Sequence, residues 1–520
     1  MKITNQLYRN IFSKSIQYLF ITTHLLIFLL CIFSFKIINA YKLYISNYNV
    51  FLLGIGIISV LLGFKLSRHF KYNRKTVLAL SAFLFFIQLF LIFHYYFYTD
   101  WDVQELLKNA IALSDKNFSE LNNFYFSRYP NNILLTVFFS KIFTLFNGLL
   151  GQDFAYVFLL VIQSILNIFS GFLILKVTFL LTKSEKYAFF SYWLYLLILW
   201  ISPWVVIPYS DSMGLIFPIL MYYIYTHPKM HYILKSVLLS AIGIIGYSVK
   251  PQIAIMIIAI IMVSLLTQKI EMKPLIAAII AIFVVSFPMF FAINRINSTA
   301  GFDLDYEWEM TYHHFIKMGL NSETDGGYLA NDVNGSISIE NKEERVIYNK
   351  QIIAQRIKDY GVTGLINHQA KKTLNNYNDG TFGWGLEGSF FEKIFPNDSY
   401  VAKITRSFYY SSGKLHLIFQ GIVQSVWLSI LFLVLGNVLI GREKMTREFL
   451  VLMTSLKFLV LMTSLIGIFL FESIFESRSR YLYTFVPIYI VAATVGFQQM
   501  TQNFKKRALK LKTGVKNEQK

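Results

Sequence analysis

Acidic residues and cysteine are both scarce in this sequence. Of its 520 residues only 29 are acidic, and charged side chains of either sign make up 15% of the chain, against about a quarter in soluble domains. The single cysteine, Cys31, lies inside an apolar run, so an intrachain disulfide cannot form. The sequence has no low-complexity tract and no internal repeat. Together these shortages exclude a soluble enzyme, a disordered chain and a disulfide-rich secreted domain.

Apolar and aromatic residues stand where the charges are missing. Hydrophobic residues account for 55% of the chain and aromatic residues for 17%, and the mean hydropathy is +0.50. A globule of 60.5 kDa could not cover so much apolar surface with so few polar side chains. The composition therefore predicts an all-α polytopic membrane protein, and no cleavable signal peptide is evident at its start.

Twelve apolar runs approach the length of about 20 residues with which a helix crosses the hydrocarbon core of a bilayer. The predicted spans lie near 16–35, 50–64, 77–97, 154–180, 187–206, 212–226, 234–249, 252–268, 274–293, 415–440, 449–471 and 480–497. The long polar stretch 294–414 separates the ninth run from the tenth.

Basic residues concentrate in the short loops on one side of these runs. Seven pieces form that side: 1–15, 65–75, 183–186, 227–235, 269–273, 441–448 and 498–520. Together they carry 24 basic and 5 acidic residues, a surplus equal to the formal net charge of +19 of the whole chain. Because basic loops stay in the cytoplasm, we expect a plasma-membrane protein with both termini inside the cell. The charge then requires no nucleic acid as a partner.

A thirteenth apolar run, 132–150, decides the topology. If it crossed the membrane, the basic turn 183–186 would lie outside, against the positive-inside rule. The run also contains Asn132, Lys141 and Asn147, which suit a helix at the membrane surface. We expect such a surface helix, and the alternative that the run spans the membrane stays open.

This topology divides the chain into six parts. The stretch 294–414 is expected outside the membrane because it carries 15 acidic and 13 basic residues and has a soluble composition. The parts are N-terminal transmembrane helices (1–98), a large first external loop with an acidic motif (99–153), central transmembrane helices (154–293), an external segment of mixed structure (294–414), C-terminal transmembrane helices (415–497) and a basic cytoplasmic tail (498–520).

The most informative motif follows the third span, where Asp100 and Asp102 flank Trp101. Two carboxylates at a membrane boundary are costly unless they are solvated or used in function. One of them could be a general base facing a lipid-borne substrate. The alternative is that Asp102 only caps the helix that follows it.

Arg128 and Tyr129 lie further along the same loop, just before the run 132–150. An arginine at the boundary between water and lipid can bind the phosphate of a lipid head group. The alternative is an aromatic anchor with an arginine that reaches into the interface.

Later turns place further charges at the expected outer ends of spans. Asp211 is one acid, and Lys250, Arg478 and Arg480 are cations on the side that the positive-inside rule disfavours. An anionic phosphate would explain such cations. The alternatives are an ion pair of Lys250 with Asp211 or another acid, and ion pairs of the two arginines with Glu472 or Glu476.

Two weaker signals lie in the segment 294–414. The turn 383–385 carries Trp384, which could stack on a sugar or simply form a turn. His313 and His314 are adjacent, so they cannot share a helix face as a metal pair would require.

In their order along the chain, these motifs resemble those of the glycosyltransferases of the GT-C fold, which take a sugar from a polyprenyl-phosphate carrier. The similarity is closest to the bacterial relatives of the protein mannosyltransferase group. The motif 100–102 is similar to the acidic motif of their first large external loop, and Asp211 looks like their second acid. Lys250-Pro251 resembles a recurrent donor-phosphate lysine, and the stretch 478–483 is similar to the basic and aromatic signature that opens a late span.

The resemblance implies inverting transfer of a sugar to an acceptor hydroxyl. Asp102 is the first choice as the base, with Asp100 as the alternative or as a partner that positions the acceptor. The expected phosphate ligands are Lys250, Arg478, Arg480 and Arg128. The expected substrate contacts are Asp211, Tyr129, Tyr481 and Trp384. No cofactor is predicted with certainty, and a divalent metal is left open.

The expected partners are therefore a polyprenyl-phosphate sugar, membrane lipids and an acceptor in the cell envelope, which could be a wall polymer, a lipid or a protein. Two rival functions stay open. One is a transporter or flippase of a lipid-linked saccharide, although such proteins place their charges near the midplane of the membrane. The other is a non-catalytic partner of cell-envelope assembly.

Overall fold

The structure, a computed structural model, describes residues 2–34, 44–267, 272–384, 391–394, 399–437 and 455–518. The predicted basic loop 441–448 lies outside these residues, as do most of the predicted loop 269–273 and Gly385 of the predicted turn. Within them the fold is α-helical apart from one two-stranded sheet.

The helices of the N-terminal half are α1 (Lys2–Ile32), α2 (Asn49–Leu66), α3 (Arg74–Tyr95), α4 (Asp102–Ser114), α5 (Asn123–Arg128), α6 (Ile133–Leu150), α7 (Gln152–Thr182), α8 (Glu185–Tyr195), α9 (Ser210–Gly214), α10 (Ile216–Thr226) and α11 (Tyr232–Val249). Those that follow are α12 (Ala254–Thr267), α13 (Met272–Ser298), α14 (Tyr312–Gly319), α15 (Ala330–Ile337), α16 (Lys342–Tyr377), α17 (Tyr400–Tyr409), α18 (His416–Val434), α19 (Leu456–Ile474) and α20 (Val486–Glu518). The strands are β1 (Phe97–Thr99) and β2 (Phe391–Ile394).

The described residues contain nine helical stretches that are long and apolar enough to cross a membrane. They are Ile11–Ile32, Ile45–His69, Arg74–Tyr95, Gln152–Thr182, Tyr232–Val249, Ile276–Ser298, His416–Asn437, Leu456–Ile474 and Ser479–Lys505. Each coincides with one of the twelve predicted spans. The protein is thus an integral membrane protein with several spans, and the number twelve stays a prediction.

The other three predicted spans correspond to shorter helical pieces. The run 187–206 forms α8 and one π-helical turn to Trp200, after which Pro203 begins a short 3₁₀ helix. The run 212–226 is divided between α9 and α10, and α10 has only 11 residues. At 1.5 Å per residue α10 is about 16 Å long, roughly half the thickness of the hydrocarbon core. The third run, 252–268, corresponds to the apolar stretch Pro251–Leu266.

The C-terminal helices form the centre of the bundle, and α13 lies at its edge. α20 packs against α7, α8 and α18, and α19 packs against α1 and α12. Almost all of the α20 span is buried, whereas the α13 span has no buried residue in its most apolar window and exposes Phe283, Phe287 and Phe291. We infer that α13 faces lipid.

The parts predicted to be external gather at one end of the bundle. The run 132–150 forms α6, which packs against α4 and α7, and its place at the membrane surface stays a prediction. The segment 294–414 contributes α14 to α17 and strand β2. Its Lys372 donates hydrogen bonds to the carbonyls of Gly319 at 2.9 Å and of Ser473 at 3.1 Å, which fixes this segment to the end of α19.

Candidate active site

A cavity of about 930 Å³ lies where the loop helices and the segment 309–333 meet the ends of α11 and α19. Eight of the ten predicted site residues line it: Asp100, Asp102, Arg128, Tyr129, Lys250, Arg478, Arg480 and Tyr481. The fold therefore brings together charges from three separate loops of the sequence. We call the motif 100–102 the acidic wall, and Lys250, Arg478 and Arg480 the cationic wall.

The acidic wall is held in place by the small sheet. β1 ends at Thr99 and pairs antiparallel with β2, with Phe97 opposite Ile394. Trp101 follows with φ of +63° and ψ of −155°, a region that only glycine adopts readily. Holding a tryptophan there costs about 1–3 kcal/mol, and strain of this kind concentrates at functional sites.

The strained backbone directs the indole of Trp101 into the cavity. Its Nε1 donates to Thr99 Oγ1 at 3.0 Å, and its ring meets the ring of Tyr209 edge to face at 5.1 Å. The guanidinium of Arg480 lies 4.4 Å from the centre of the same ring, a favourable cation–π distance. Trp101 thus links the two walls.

Asp102 begins α4, but its carboxylate is used elsewhere than at the helix end. The N-cap position belongs to Trp101, which makes no side-chain cap hydrogen bond. The Asp102 carboxylate accepts a hydrogen bond from the hydroxyl of Tyr209 at 3.2 Å and another from the hydroxyl of Tyr125. Asp102 is therefore not the N-cap of α4, as the alternative interpretation would require. Asp100 is exposed, and its Oδ1 accepts from the amide of Trp101 at 2.8 Å.

The two tyrosines stay protonated beside this carboxylate. Burial raises the pKa of Tyr209 well above its usual value, and the charge of Asp102 raises it further. Burial and the same carboxylate raise the pKa of Tyr125. Both hydroxyls are therefore hydrogen-bond donors at neutral pH, and they orient the Asp102 carboxylate.

Lys250 and Asp211 form a buried ion pair, the alternative that the sequence analysis left open for Lys250. Asp211 is 1% exposed and does not line the cavity. The Lys250 ammonium also lies 4.7 Å from the centre of the Tyr481 ring. Asp211 thus holds the lysine at the cavity wall and is separated from the cavity by it.

The two arginines of the cationic wall have different surroundings. Arg478 Nε donates to Glu476 at 3.1 Å, and the other oxygen of Glu476 accepts from the hydroxyl of Tyr481 at 3.1 Å. The predicted alternative of an ion pair with Glu476 is therefore present for Arg478. Arg480 packs on the rings of Trp101 and Tyr209, at 4.4 and 5.6 Å from their centres. By these contacts Arg480 is the cation most closely linked to Asp102.

Arg128 and Tyr129 form another part of the lining. The Arg128 guanidinium lies 4.4 Å from the centre of the Phe124 ring and 5.5 Å from that of Tyr129. Burial raises the pKa of Tyr129, against the opposing effect of Arg128. These contacts fit the alternative of an aromatic anchor, and the position in the cavity lining fits the phosphate contact, so both stay open.

Trp384 lies away from the cavity. Its side chain is fully buried, its Nε1 donates to the carbonyl of Tyr409 at 2.7 Å, and its ring packs edge to face on Trp204. Phe382 and Gly383, just before it, both have positive φ. The chain thus forms a turn here, as the alternative interpretation expected. The predicted stacking of Trp384 on a sugar finds no support in the geometry.

Several lining residues were missed by the sequence analysis. The segment 294–414 covers the cavity with Glu309, Tyr312, Phe315 and Tyr328, and no spacing in the sequence pointed to them. Tyr209 could have been predicted, because it stands two residues before Asp211, which was already a candidate site residue.

A second cavity, of about 1290 Å³, continues from the first along the membrane helices. The two share five lining residues: Pro130, Asn131, Tyr247, Pro251 and Glu309. The second cavity runs between α11, α12 and α13 and is lined mainly by apolar side chains such as Leu239, Ile260 and Ile282. We call it the membrane groove.

The comparisons with known proteins agree with the membrane architecture. The sequence model of one family, described as conserved hypothetical integral membrane protein, matches residues 3–501. The chain belongs to this family. No curated protein and no solved structure matches it. Among the described residues, no cluster of three or more His, Cys, Asp or Glu side chains could hold a metal ion.

Proposed function

We propose that this protein is an integral membrane glycosyltransferase of the GT-C type. It transfers a sugar from a polyprenyl-phosphate donor to a hydroxyl of an acceptor in the cell envelope, at the outer face of the plasma membrane. One observation carries the proposal: carboxylates and cations line a single cavity that opens into an apolar groove along the membrane helices. A lipid phosphate is the ligand that needs both a cationic pocket and an apolar path beside it.

The reaction uses the two walls for different tasks. Asp102 takes the proton of the acceptor hydroxyl, whose oxygen forms a bond to the anomeric carbon of the sugar. The bond between this carbon and the phosphate oxygen breaks, and the phosphate keeps the electron pair. Because attack and departure occur on opposite sides of the carbon, the configuration is inverted.

The cationic wall stabilises the charge that develops on the leaving phosphate. Arg480 is assigned to this task first, because it touches Trp101 and Tyr209, the two rings next to Asp102. Lys250 and Arg478 add positive charge from positions fixed by Asp211 and Glu476. The aromatic cover formed by Tyr312, Phe315 and Tyr328 suits the faces of a sugar and helps to exclude water.

The decisive experiment uses purified protein in lipid nanodiscs with a polyprenyl-phosphate sugar and a crude cell-envelope acceptor. Release of free polyprenyl phosphate together with sugar in the acceptor supports the proposal. Movement of the donor lipid between leaflets without glycosyl transfer would establish the transporter alternative instead. If the protein neither transfers nor moves the donor, only the non-catalytic partner is left.

The proposed orientation has its own test in intact cells. A cysteine at Glu340 should react with a membrane-impermeant maleimide, and a cysteine at Ser184 should not, since the basic turn 183–186 is expected inside. Cys31 is buried and gives little background. Outside labelling at Ser184 would mean that α6 crosses the membrane and that the loop assignment fails.

A further inference from the structure

The membrane groove extends from one end of its helices to the other. On α11 it is lined from Tyr232, in the first turn, to Ser248, in the last. On α13 it is lined from Ala278 to Asn297. At 1.5 Å per residue these stretches measure about 24 and 28 Å, close to the thickness of the hydrocarbon core of about 30 Å. The groove is thus long enough to connect the two membrane surfaces.

The end of the groove away from the cavity is basic. Lys235 and Lys457 line it there, together with Tyr225 and Tyr232. Lys235 Nζ donates to the carbonyl of Tyr225 at 3.0 Å. The cavity end leads to Lys250, which lies beside the shared residue Pro251. Two lysines therefore line the basic end, and at the cavity end Lys250, paired with Asp211, stands next to the groove, which Glu309 also lines.

Polar side chains connect the two ends. On α11, Ser236, Ser240 and Tyr247 follow one another at intervals of about one turn or two, and they face Ser264 of α12 and Ser286 of α13 across the groove. The hydroxyls of Ser236 and Ser240 donate to carbonyls of their own helix, so their oxygens can still accept or bind water. The groove is thus apolar with a polar stripe.

We propose that the membrane groove is a path for the phosphate head group of a lipid between the two membrane surfaces, while the lipid tails stay in the bilayer. The protein would then exchange phosphate lipids between leaflets in addition to any transfer of sugar. The exposed apolar residues along the groove, among them Ile261, Leu265 and Ile279, are consistent with lateral contact with lipid tails. The exchange needs neither Asp102 nor a sugar, so it goes beyond the proposed glycosyl transfer and can be tested without it.

The test uses vesicles of phosphatidylcholine that contain the full-length protein and a trace of phosphatidylglycerol with a fluorescent acyl chain. Dithionite added outside bleaches only the outer leaflet unless the probe changes sides. In vesicles with the wild-type protein we expect the inner-leaflet probe to be bleached as well. Bleaching that stops at the outer-leaflet fraction would overturn the proposal, whatever the result for glycosyl transfer.

Two variants and their controls link the exchange to the groove. Ser240→Leu with Ser286→Leu fills the polar stripe and should reduce the rate to that of protein-free vesicles. The control Gly54→Leu adds the same bulk to α2, where nothing lies within 4 Å of an added side chain. Exchange that persists unchanged in the filled variant contradicts the path.

The basic end is tested by Lys235→Ala with Lys457→Ala. Removal of both lysines should slow exchange of phosphatidylglycerol about tenfold or more, since a lysine near a membrane surface attracts an anionic lipid. The matched control, Lys14→Ala with Lys65→Ala, removes two exposed lysines elsewhere. An equal loss in this control would show a surface effect and reject the role of the two groove lysines. Thermal unfolding in detergent checks that all variants fold.

Discussion

The acidic and cationic walls of the cavity hold their charges in different ways. Asp102 is kept in place by neutral donors, the hydroxyls of Tyr209 and Tyr125. Lys250 and Arg478 are instead held by opposite charges, those of Asp211 and Glu476. A base must accept a proton, and a neighbouring cation would lower its basicity, whereas neutral donors orient it at smaller cost. A side chain that binds the phosphate only has to present its positive charge in the correct place. The difference in support thus matches the difference in the proposed tasks.

The first prediction removes the base of the acidic wall. Asp102→Asn keeps the size of the side chain and its ability to accept from Tyr209, but it cannot take up a proton. We expect transfer to fall by about 10²–10⁴-fold, the usual contribution of a general base, with normal expression and folding. Asp100→Asn should be at least impaired, and Asp115→Asn, an exposed position after α4, is the matched control. Wild-type transfer in both variants and in the double variant would refute the assignment.

The second prediction breaks the support of the cationic wall. Asp211→Asn leaves Lys250 buried without its partner carboxylate, which should destabilise the protein by about 3–5 kcal/mol. Replacing both residues, with Asp211→Asn and Lys250→Met, should restore most of the stability but not the transfer of sugar. Thermal unfolding and the donor assay separate the two effects. Full activity of the double variant would show that the pair is only structural.

The third prediction concerns the cation that touches both walls. Arg480→Ala should weaken use of the lipid donor by about ten- to a hundredfold in kcat/KM, since a hydrogen bond to a charged group contributes roughly 1.5–3 kcal/mol. Arg480→Lys should recover part of this loss, because it keeps the charge but not the planar fork. Arg68→Ala, which removes an exposed arginine from over the Phe64 ring, is the control. A variant with unchanged kcat/KM for the donor would argue against a contact between Arg480 and the phosphate.

The smallest expected effect tests the neutral support of the acidic wall. Tyr209→Phe removes the hydroxyl that donates to Asp102 but keeps the ring between Trp101 and Arg480. We expect a loss of up to about tenfold in transfer, the value of one hydrogen bond of roughly 1 kcal/mol. The loss should fall on kcat rather than on KM for the donor, because the hydroxyl contacts Asp102. Wild-type transfer in this variant would show that the Tyr209 hydroxyl does not support Asp102.

Much of the membrane architecture follows from the sequence, because an apolar run of sufficient length has few alternatives to a membrane helix. Two of the predicted spans, 187–206 and 212–226, are divided into shorter helical pieces in the structure. Most of their residues are buried in the bundle, and an apolar composition does not distinguish burial in protein from burial in lipid. Turns such as that at Pro203, which interrupt a helix before it is long enough to cross the membrane, are what separates the two cases.

The sequence also indicated most of the charges that line the cavity. The acids stand at a membrane boundary, where a carboxylate is costly, and the cations stand on the side that the positive-inside rule disfavours. What the sequence could not provide was their support. The pairing of Lys250 with Asp211 was only one of two alternatives, and the strained backbone of Trp101 leaves no trace in composition. The aromatic cover from the segment 309–333 lies far from the other lining residues in sequence, so nothing local indicated it.

The pairing of β1 with β2 has a consequence for the synthesis of the protein. Phe97 and its partner Ile394 are 297 positions apart, which a ribosome at about 5–20 residues per second needs roughly 15–60 s to translate. During that interval the first helices can already be inserted, while the stretch that carries Asp100 and Asp102 has no strand to pair with. A nascent or truncated chain that ends before β2 would therefore contain Lys250 but would lack Arg478, Arg480 and the strand that fixes the acidic motif. The growing chain thus gains its complete cavity only after the segment between α13 and α18 and the stretch that carries Arg478 and Arg480 have been synthesised and have folded against the earlier helices.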